Sequence, residues 1–370
     1  MITRPIRVAI LGAGNVLSAY LQALDRLIPR GFAQLTCVCA RRLETWPSLE
    51  AQRPGIKLVQ EPNELFKSDA DVIIVITPPS SHAELIEQAI ANGKHVLAEK
   101  PVALTFAQAR RLVKLAADRK VHLVCAPFVQ LAPTFRALWT LIQRGDIGKI
   151  HSLRGLYGNA GSTWATWYHA GEVGPLAELG IYNLKSVTAN AGPVQEVLAA
   201  ESTAVSQRVI AEQTVLHTSP DVSHIILRHV TGALSSIVSS HAIQRYKRPA
   251  LEIYGTEGTA NLLGDDWDPR GFEIWRNSRN CWEEHEPIEP TWLWTDGLRE
   301  LVMSLREDRT PLHDSDHDLH LLEIIEAADT AARERACIPV HSRFPELHLQ
   351  LESSGERHHL HDHTRPADEQ

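Results

Sequence analysis

The sequence lacks an apolar run of the roughly 20 residues that a membrane-spanning helix requires. It also lacks the uninterrupted apolar core of a signal peptide, because Gly12, Gly14 and Asn15 break the stretch that follows Arg4 and Arg7. Basic charge is not in excess: 37 Lys and Arg face 45 Asp and Glu, for a net charge of −8. We therefore expect a cytoplasmic protein that binds neither membrane nor nucleic acid.

Cysteine is scarce and odd in number. The five cysteines are scattered at positions 37, 39, 125, 281 and 337, which offers no disulfide framework and predicts reduced thiols. His313, His317 and His320 mimic the spacing of metal ligands, but no cysteine or acidic constellation completes a set. We predict that the protein has no functional metal site.

The 370 residues suffice for two domains, each with its own core. In 1–127, short β-branched runs alternate with amphipathic helices, which predicts an α/β domain with a doubly wound parallel sheet of the Rossmann type. In 128–345, long alternating strands dominate, which predicts an α+β domain with a large, mostly antiparallel sheet. The remaining 346–370 is polar and histidine-rich towards its end, and is predicted to be a disordered tail.

The boundaries of the predicted elements follow from hydrophobic periodicity and from turn residues. The predicted strands are 6–11, 35–40, 56–59, 72–76, 95–98, 122–125, 150–158, 194–203, 222–230, 233–242, 250–255 and 259–264. The predicted helices are 15–27, 63–67, 81–92, 105–118, 133–144, 293–307 and 318–335.

The first predicted strand runs into Gly12-Ala13-Gly14 and then into a helix. The first glycine permits a tight turn, and the second lets the backbone approach a pyrophosphate at the positive end of the helix, beside Asn15 and Val16. The third glycine of the usual dinucleotide fingerprint is replaced by Leu17. The incomplete motif and the alternating elements behind it together predict a bound dinucleotide.

The second strand ends in Ala40-Arg41-Arg42, where an NAD site would carry an acidic residue for the ribose 2′-hydroxyl. Two guanidinium groups suit a 2′-phosphate instead, so we predict that NADP is preferred over NAD. A pair of solvated arginines is the alternative.

A buried strand, Val72 to Ile76, is stopped by Thr77, Pro78 and Pro79. Ser80 or Ser81 is predicted to cap the helix that follows, and Glu84 stands three residues after Ser81, as in a capping box. It ends at Gly93, and a second short strand leads into Glu99-Lys100-Pro101. Ligands of open α/β sheets bind outside the carboxyl ends of the strands, so Lys100 is expected to face a ligand. A solvated surface turn is the alternative.

The segment from Gly93 to Pro101 resembles the Gfo/Idh/MocA oxidoreductase family, and the likeness extends from about Ile6 to Ser342. The resemblance implies that Lys100 is catalytic and that a nicotinamide cofactor binds to the first domain. The expected cofactor contacts are Gly12, Gly14, Asn15, Val16, Arg41, Arg42, Thr77, Pro78, Pro79, His82, Glu99 and Lys100.

A glycine-rich segment, 171–183, is similar to the segment that opens the substrate helix of this family. Glu178 stands where members commonly have Asp, and Tyr182 stands where they have His or Tyr. Four residues apart, the two share a helix face. The resemblance implies that Tyr182 is the general acid/base, that Lys100 favours its phenolate, and that Glu178 orients the substrate or the lysine. A surface glutamate and a core tyrosine are the alternative.

An aromatic loop precedes that helix, with Trp164, Trp167 and Tyr168. Aromatic rings stack on the apolar faces of sugars, so these residues are expected to bind substrate; a hydrophobic plug between the domains is the alternative. The arginine that the family often has near the sixth strand corresponds to Gln130, which implies that one substrate contact differs.

The resemblance implies an NAD(P)-dependent oxidoreductase acting on a secondary alcohol or ketone of a sugar, polyol or glycoside. Two alternatives remain open: a glycoside-cleaving enzyme that oxidises its sugar transiently and retains its cofactor, and a non-catalytic NAD(P)-binding regulator. The strands of the second domain have too few helices to cover both faces of their sheet. We therefore expect a homo-oligomer, dimer or tetramer, joined through that sheet.

Overall fold

The computed structural model describes residues 2–162, 168–169, 173–210, 212–216, 219–247, 249–350 and, for the backbone alone, 363–365. The chain forms two compact units, Met1–Phe128 with Thr295–Leu319 and Val129–Trp294 with His320–Gln370. Each unit takes its residues from two stretches of chain, whereas the sequence predicted one continuous stretch for each. The physical reason is the helix Gly297–Glu307, which buries Leu298, Leu301 and Val302 within the first unit.

The first unit contains the predicted parallel sheet. Its six strands have the order β3-β2-β1-β4-β5-β6, and every pairing is parallel. The order reverses between β1 and β4, which makes the carboxyl ends of these strands the switch point of a doubly wound sheet. The strands are β1 Ile6–Leu11, β2 Ala33–Cys39, β3 Lys57–Val59, β4 Val72–Val75, β5 His95–Ala98 and β6 Leu123–Cys125.

Apart from α2, which the sequence did not predict, the helices of this unit begin and end near the predicted positions. Thr105 caps α5 by accepting a hydrogen bond from the Gln108 amide at 3.2 Å. The predicted capping box at Ser81 is wrong: Ser81 makes no side-chain cap, and its hydroxyl lies 2.8 Å from Thr77 Oγ1, because a 3₁₀ turn, Pro79–Ser81, precedes the helix. The helices are α1 Leu17–Leu27, α2 Trp46–Gln52, α3 Pro62–Phe66, α4 His82–Ala91, α5 Phe106–Arg119 and, later in the chain, α8 Gly297–Glu307.

The second unit is built on a ten-stranded, mostly antiparallel sheet with the order β17-β8-β11-β12-β7-β13-β14-β15-β16-β18. The β7–β12 pair is parallel. The strands are β7 Ile150–Gly158, β8 Val194–Ser202, β11 Val222–His229, β12 Leu234–Ser240, β13 Leu251–Gly255, β14 Gly258–Asp265, β15 Asp268–Arg276, β16 Cys281–His285, β17 Ile338–Pro339 and β18 His363–Arg365. A separate hairpin pairs β9 Gln207–Ile210 with β10 Gln213–Leu216.

The sequence missed the hairpin and the strands β15 and β16. Pro269 and Gly271 interrupt the alternation of β15, and the turn at Asn280, with a φ of +52°, reads as loop. Tertiary pairing overrides these local signals, because β15 pairs with β14 on one side and with β16 on the other.

Helices cover one face of this sheet. α6 Pro133–Gln143 packs against β14 and β15, and α7 Ile181–Ala191 packs against β7, β12 and β13. The helix α9 spans Ser315–Glu334. Apolar side chains remain exposed on three neighbouring strands: Leu198 on β8 at 46%, Ile226 on β11 at 50% and Leu234 on β12 at 42%.

The predicted disordered tail begins too early. Leu347 and Leu349 are buried, and Arg136 donates to the Leu349 carbonyl at 2.8 Å, so 346–350 belongs to the second unit. The stretches 351–362 and 366–370 lie outside the described residues. No helix in the described part of the chain is long and apolar enough to cross a bilayer.

Candidate functional site

The turn between β1 and α1 lies at the switch point of the parallel sheet. Gly12 has a φ of +117°, and a Cβ there would sit 2.8 Å from the carbonyl oxygen of Ile76. Only glycine fits such a close approach without strain. The helix α1 begins directly after this turn, and its macrodipole adds positive potential there. The turn thus fits a pyrophosphate, and Gly14, Asn15 and Val16 border it.

The tip of β2 is held by two side chains from the next segment. The Trp46 indole N–H donates to the Ala40 carbonyl at 3.0 Å, and the Gln60 amide donates to the Arg41 carbonyl at 3.0 Å. Arg41 and Arg42 are themselves exposed. Among the described residues neither guanidinium forms an ion pair, with Glu44 or with any other carboxylate. Both side chains are therefore available to an anion.

The turn after β4 carries Thr77, Pro78 and Pro79. Thr77 is half-buried, Pro78 exposed and Pro79 buried. His82, in the first turn of α4, is fully buried. Its Nδ1 lies 2.7 Å from the Pro101 carbonyl oxygen and its Nε2 lies 2.8 Å from the Thr77 carbonyl oxygen. The ring therefore contacts the backbone on both sides, and its predicted contact with a cofactor remains a prediction.

The turn after β5 carries Glu99 and Lys100. Glu99 is buried, and it accepts a hydrogen bond from the Tyr20 hydroxyl at 2.8 Å and one from the Lys100 amide at 3.3 Å. Burial raises the pKa of Glu99, and the nearby Lys100 charge and the Tyr20 hydrogen bond offset part of this rise. The turn of the predicted catalytic lysine is therefore tied to α1, the helix that follows the glycine turn.

Tyr20 was missed by sequence reasoning. It occupies the buried stripe of α1 with Leu17, Leu21 and Leu24. A hydroxyl within an otherwise apolar stripe needs a buried partner, and this was the available signal.

In the second unit, Glu178 and Tyr182 lie at the start of the predicted substrate helix. The segment Leu176–Gly180 is a π turn that runs directly into the α-helix at Ile181, so the two residues lie on one continuous helical segment and their shared face remains a prediction. The turn lies close to β12, because a Cβ on Gly180 would sit 2.2 Å from Ser239 Oγ. Single π turns occur often at functional sites.

Three tyrosines and Glu178 form one polar cluster. The rings of Tyr182 and Tyr157 meet edge to face with centroids 5.7 Å apart. Burial raises the pKa of Tyr157, and negative charge at Asp265 and Glu178 adds to the rise. Burial also raises the pKa of Tyr168, and Glu178 again adds to it. Glu178 and Tyr182 are both half-buried, so each retains a face for a ligand.

The predicted aromatic platform is described only at Tyr168. Its ring packs on His241 with centroids 4.3 Å apart, and 6% of the residue is exposed, so little of it remains for stacking on a sugar. Trp164 and Trp167 lie outside the described residues. The role of all three in substrate binding remains a prediction.

A buried carboxyl group supports α7 and was missed from the sequence. Asp266 accepts hydrogen bonds from Asn183 Nδ2 at 2.5 Å and from Ser186 Oγ at 3.0 Å. Asn183 also donates to the Ala250 carbonyl at 3.1 Å. Burial raises the pKa of Asp266 to about 7, although its two hydrogen bonds favour the charged form. Asp266 thus anchors α7 one residue after Tyr182.

The histidines with metal-like spacing have other partners. His313 Nε2 lies 2.5 Å from Asp318 Oδ2. His320 accepts from the Val194 amide at 2.9 Å and lies 2.9 Å from Ser342 Oγ. Within the described residues no three His, Cys, Asp or Glu side chains group as metal ligands.

Comparison with known proteins adds independent findings. A family model described as an oxidoreductase family with an NAD-binding Rossmann fold matches residues 6–126, and the GFO/IDH/MocA C-terminal domain matches residues 135–261. Similar proteins include a dTDP-3,4-didehydro-2,6-dideoxy-alpha-D-glucose 3-reductase of Actinomadura kijaniata, 28% identical over 49% of this chain and 55% of that reductase. The match thus spans about half the length of that relative.

Two further proteins match over longer stretches. A trans-1,2-dihydrobenzene-1,2-diol dehydrogenase of Bos taurus is 27% identical over 71% of this chain and 76% of that enzyme. A solved structure of levoglucosan dehydrogenase, in complex with NADH and levoglucosan, has a TM-score of 0.81 at 17% identity and covers 91% of this chain and 100% of that one. The structural likeness at this identity establishes a shared fold.

Proposed function

Because the chain belongs to the Gfo/Idh/MocA family of NAD-binding oxidoreductases, we propose that it transfers hydride between a nicotinamide cofactor and a secondary alcohol or ketone of a sugar, polyol or glycoside. One observation carries the proposal. Lys100 follows β5 at the carboxyl ends of the parallel strands, the same side of the sheet as the Gly12 turn that fits a pyrophosphate. A buried hydrogen bond from Tyr20 to Glu99 holds the turn that carries Lys100.

In this proposal Lys100 binds the reacting oxygen. A bound nicotinamide supplies the hydride chemistry. An ammonium group beside a secondary alcohol lowers the cost of losing the hydroxyl proton, and beside a ketone it polarises the carbonyl. The hydrogen bond from the Lys100 amide to the buried Glu99 carboxylate limits the backbone positions that Lys100 can take.

Tyr182 exchanges the proton in our proposal. A free phenol has a pKa of about 10, so near neutrality it needs a nearby positive charge or a hydrogen bond to act as a base. Glu178 orients the substrate hydroxyls, and Asp266 holds the helix of Tyr182 through Asn183. The half-buried state of Glu178 and Tyr182 supports these roles.

The substrate class rests on two kinds of support. The named relatives include a reductase of a dTDP-linked sugar, and a structural neighbour binds levoglucosan. The cluster of tyrosines around Glu178 offers hydroxyl groups and a carboxylate, the groups that bind polyols. Two alternative functions would use the same residues. One is a glycoside-cleaving enzyme that retains its cofactor, and the other is an NAD(P)-binding regulator without turnover.

We propose NADP as the preferred cofactor. Arg41 and Arg42 are exposed at the tip of β2, where the backbone is held by Trp46 and Gln60. A charge-assisted pair with a phosphate contributes about 1.5–3 kcal/mol, and exposure to solvent lowers this, so we expect a preference on the order of tenfold. Some similar structures hold NAD or NADH. An affinity for NAD equal to the affinity for NADP would therefore contradict this proposal.

We also propose a homo-oligomer, dimer or tetramer, and a cytoplasmic location. The exposed leucine and isoleucine side chains on β8, β11 and β12 support the first. The second is supported by the cysteines, all five of which are free thiols.

A substrate panel tests the reaction. Sugars, polyols and glycosides are mixed with NADP or NAD, and the absorbance of the reduced cofactor is followed beside product analysis. Net formation of reduced cofactor with one class of substrate supports the proposal. Glycoside cleavage without net reduction identifies the cofactor-retaining alternative. Tight binding of cofactor with neither reaction identifies the regulator.

A further inference from the structure

The buried ring of His82 faces two hydrogen-bond acceptors. Its Nδ1 lies 2.7 Å from the Pro101 carbonyl oxygen and its Nε2 lies 2.8 Å from the Thr77 carbonyl oxygen. A carbonyl oxygen only accepts, so each ring nitrogen must carry a proton for both contacts to be hydrogen bonds. A neutral imidazole carries one proton, and its other nitrogen would then face a carbonyl lone pair at hydrogen-bond distance.

Two other buried histidines of this chain show the opposite arrangement. His229 lies 2.7 Å from the Gly192 carbonyl oxygen, but its second nitrogen meets Ser235 Oγ, which can donate. His320 accepts from the Val194 amide and meets Ser342 Oγ. A neutral ring satisfies every partner in both cases, and burial lowers the pKa of each to about 4. His82 differs because neither of these two partners can donate.

We propose that His82 is held as an imidazolium cation and acts as a positioning residue for Lys100. The two carbonyl groups belong to the turns that follow β4 and β5, so one charged ring joins the turn of Thr77 to the turn of Lys100. Hydrogen bonds from a charged donor are shorter and stronger than those of a neutral ring. The cation thus keeps the two strand-end turns at a constant separation. The role of Lys100 in this inference rests on the proposed function.

The charge state is tested without any assay of turnover. In a sample labelled with ¹⁵N in its histidines, the ring nitrogens are assigned through bonds from the backbone at neutral pH. We expect two protonated nitrogens in His82 and one in His229, which serves as the internal control. A His82 ring with one unprotonated nitrogen would overturn the inference, whether or not a substrate has been found.

Two substitutions, each of which keeps one of the two hydrogen bonds of His82, test the positioning role. In His82→Asn the side-chain amide can replace Nδ1 and donate to Pro101, whereas in His82→Gln it can replace Nε2 and donate to Thr77. Loss of the Pro101 bond moves the lysine turn, and displacements of about 1 Å can cost on the order of 100-fold in rate. We expect His82→Gln to lower kcat by about 10- to 100-fold, and His82→Asn to change the cofactor KM more than kcat.

The control is His229→Gln, which alters a buried ring far from Lys100 in the chain. We expect its kcat, per folded molecule, to stay within about twofold of the parent. Equal losses of kcat in both His82 variants, or unchanged kcat in a folded His82→Gln protein, would refute the positioning role. A parent protein that turns over no substrate refutes the proposed function, and the charge state of His82 is still read from the spectrum.

Discussion

Replacing Asp266 by asparagine removes a buried carboxyl group that the fold perturbs strongly. The pKa of Asp266 rises from its ordinary value of 3.8 to about 7, because burial outweighs the hydrogen bonds from Ser186 and Asn183. In the unfolded chain the carboxyl group returns to its ordinary pKa. Between these two values the native state binds a proton that the unfolded state has released.

The sign of the pH effect follows from this difference. Well below pH 4 both states are protonated, and Asp266 adds no pH dependence. As the pH rises from 4 through 7, Asp266 ionises in the unfolded state while it stays protonated in the native state. This ionisation stabilises the unfolded state, so the free energy of unfolding falls. A difference of about three pH units corresponds to about 4 kcal/mol, at about 1.4 kcal/mol for each unit. The Asp266→Asn protein cannot ionise there and does not show this fall.

Asparagine also has a fixed cost. Its NH2 group carries two hydrogens where the protonated carboxyl group of the parent carries one, so one further donor faces Asn183 or Ser186, at a cost of about 1 kcal/mol. We therefore expect Asp266→Asn to be less stable than the parent at pH 4 and more stable than the parent above pH 8.

Urea denaturation at several pH values, followed by tryptophan fluorescence and circular dichroism, measures both curves. Glu196→Gln is the control, because Glu196 forms an exposed ion pair with Arg228 in the same unit. The control curve should run parallel to that of the parent. A stability difference between Asp266→Asn and the parent that stays constant from pH 4 to pH 8 would show that the buried carboxyl group is ionised throughout.

The other predictions concern the proposed reaction and assembly. Lys100→Ala should lower turnover by about 10² to 10⁴ without unfolding, measured beside the exposed Lys114→Ala; a rate within threefold of the parent would contradict the assignment. Arg41→Ala should remove most of the preference for NADP in calorimetric titrations, and equal affinities in the parent would mean that the guanidinium faces solvent. Tyr20→Phe removes the hydroxyl that holds Glu99 and should lower kcat more than it raises the cofactor KM; an effect on thermal stability alone would make it structural. Ile226→Asp should turn an oligomer into a monomer by light scattering, and a parent that is already monomeric at micromolar concentration would refute assembly through this sheet.

Local patterns determined most of the first unit. A parallel strand buried on both faces must be apolar along its length, and the turn after it must carry glycine or proline, so periodicity locates β1, β4 and β5 within one or two residues. The candidate residues Gly12 and Lys100 follow from the same rule, because each stands where a strand ends. The strands β15 and β16 escaped detection because their pairing, rather than their own alternation, makes them strands.

The charge states and supports of the candidate site were decided by tertiary structure. Tyr20 and Glu99 are 79 positions apart, and Asn183 and Asp266 are 83 apart, so no local pattern joins them. A carboxyl group or an imidazole takes its pKa from burial and from the donors and acceptors around it. The sequence by itself determined which titratable residues stand near strand ends and helix starts. Only the folded chain decided that Asp266 is buried with two donors and that His82 lies between two carbonyl groups, because these partners meet only when the sheets and helices pack.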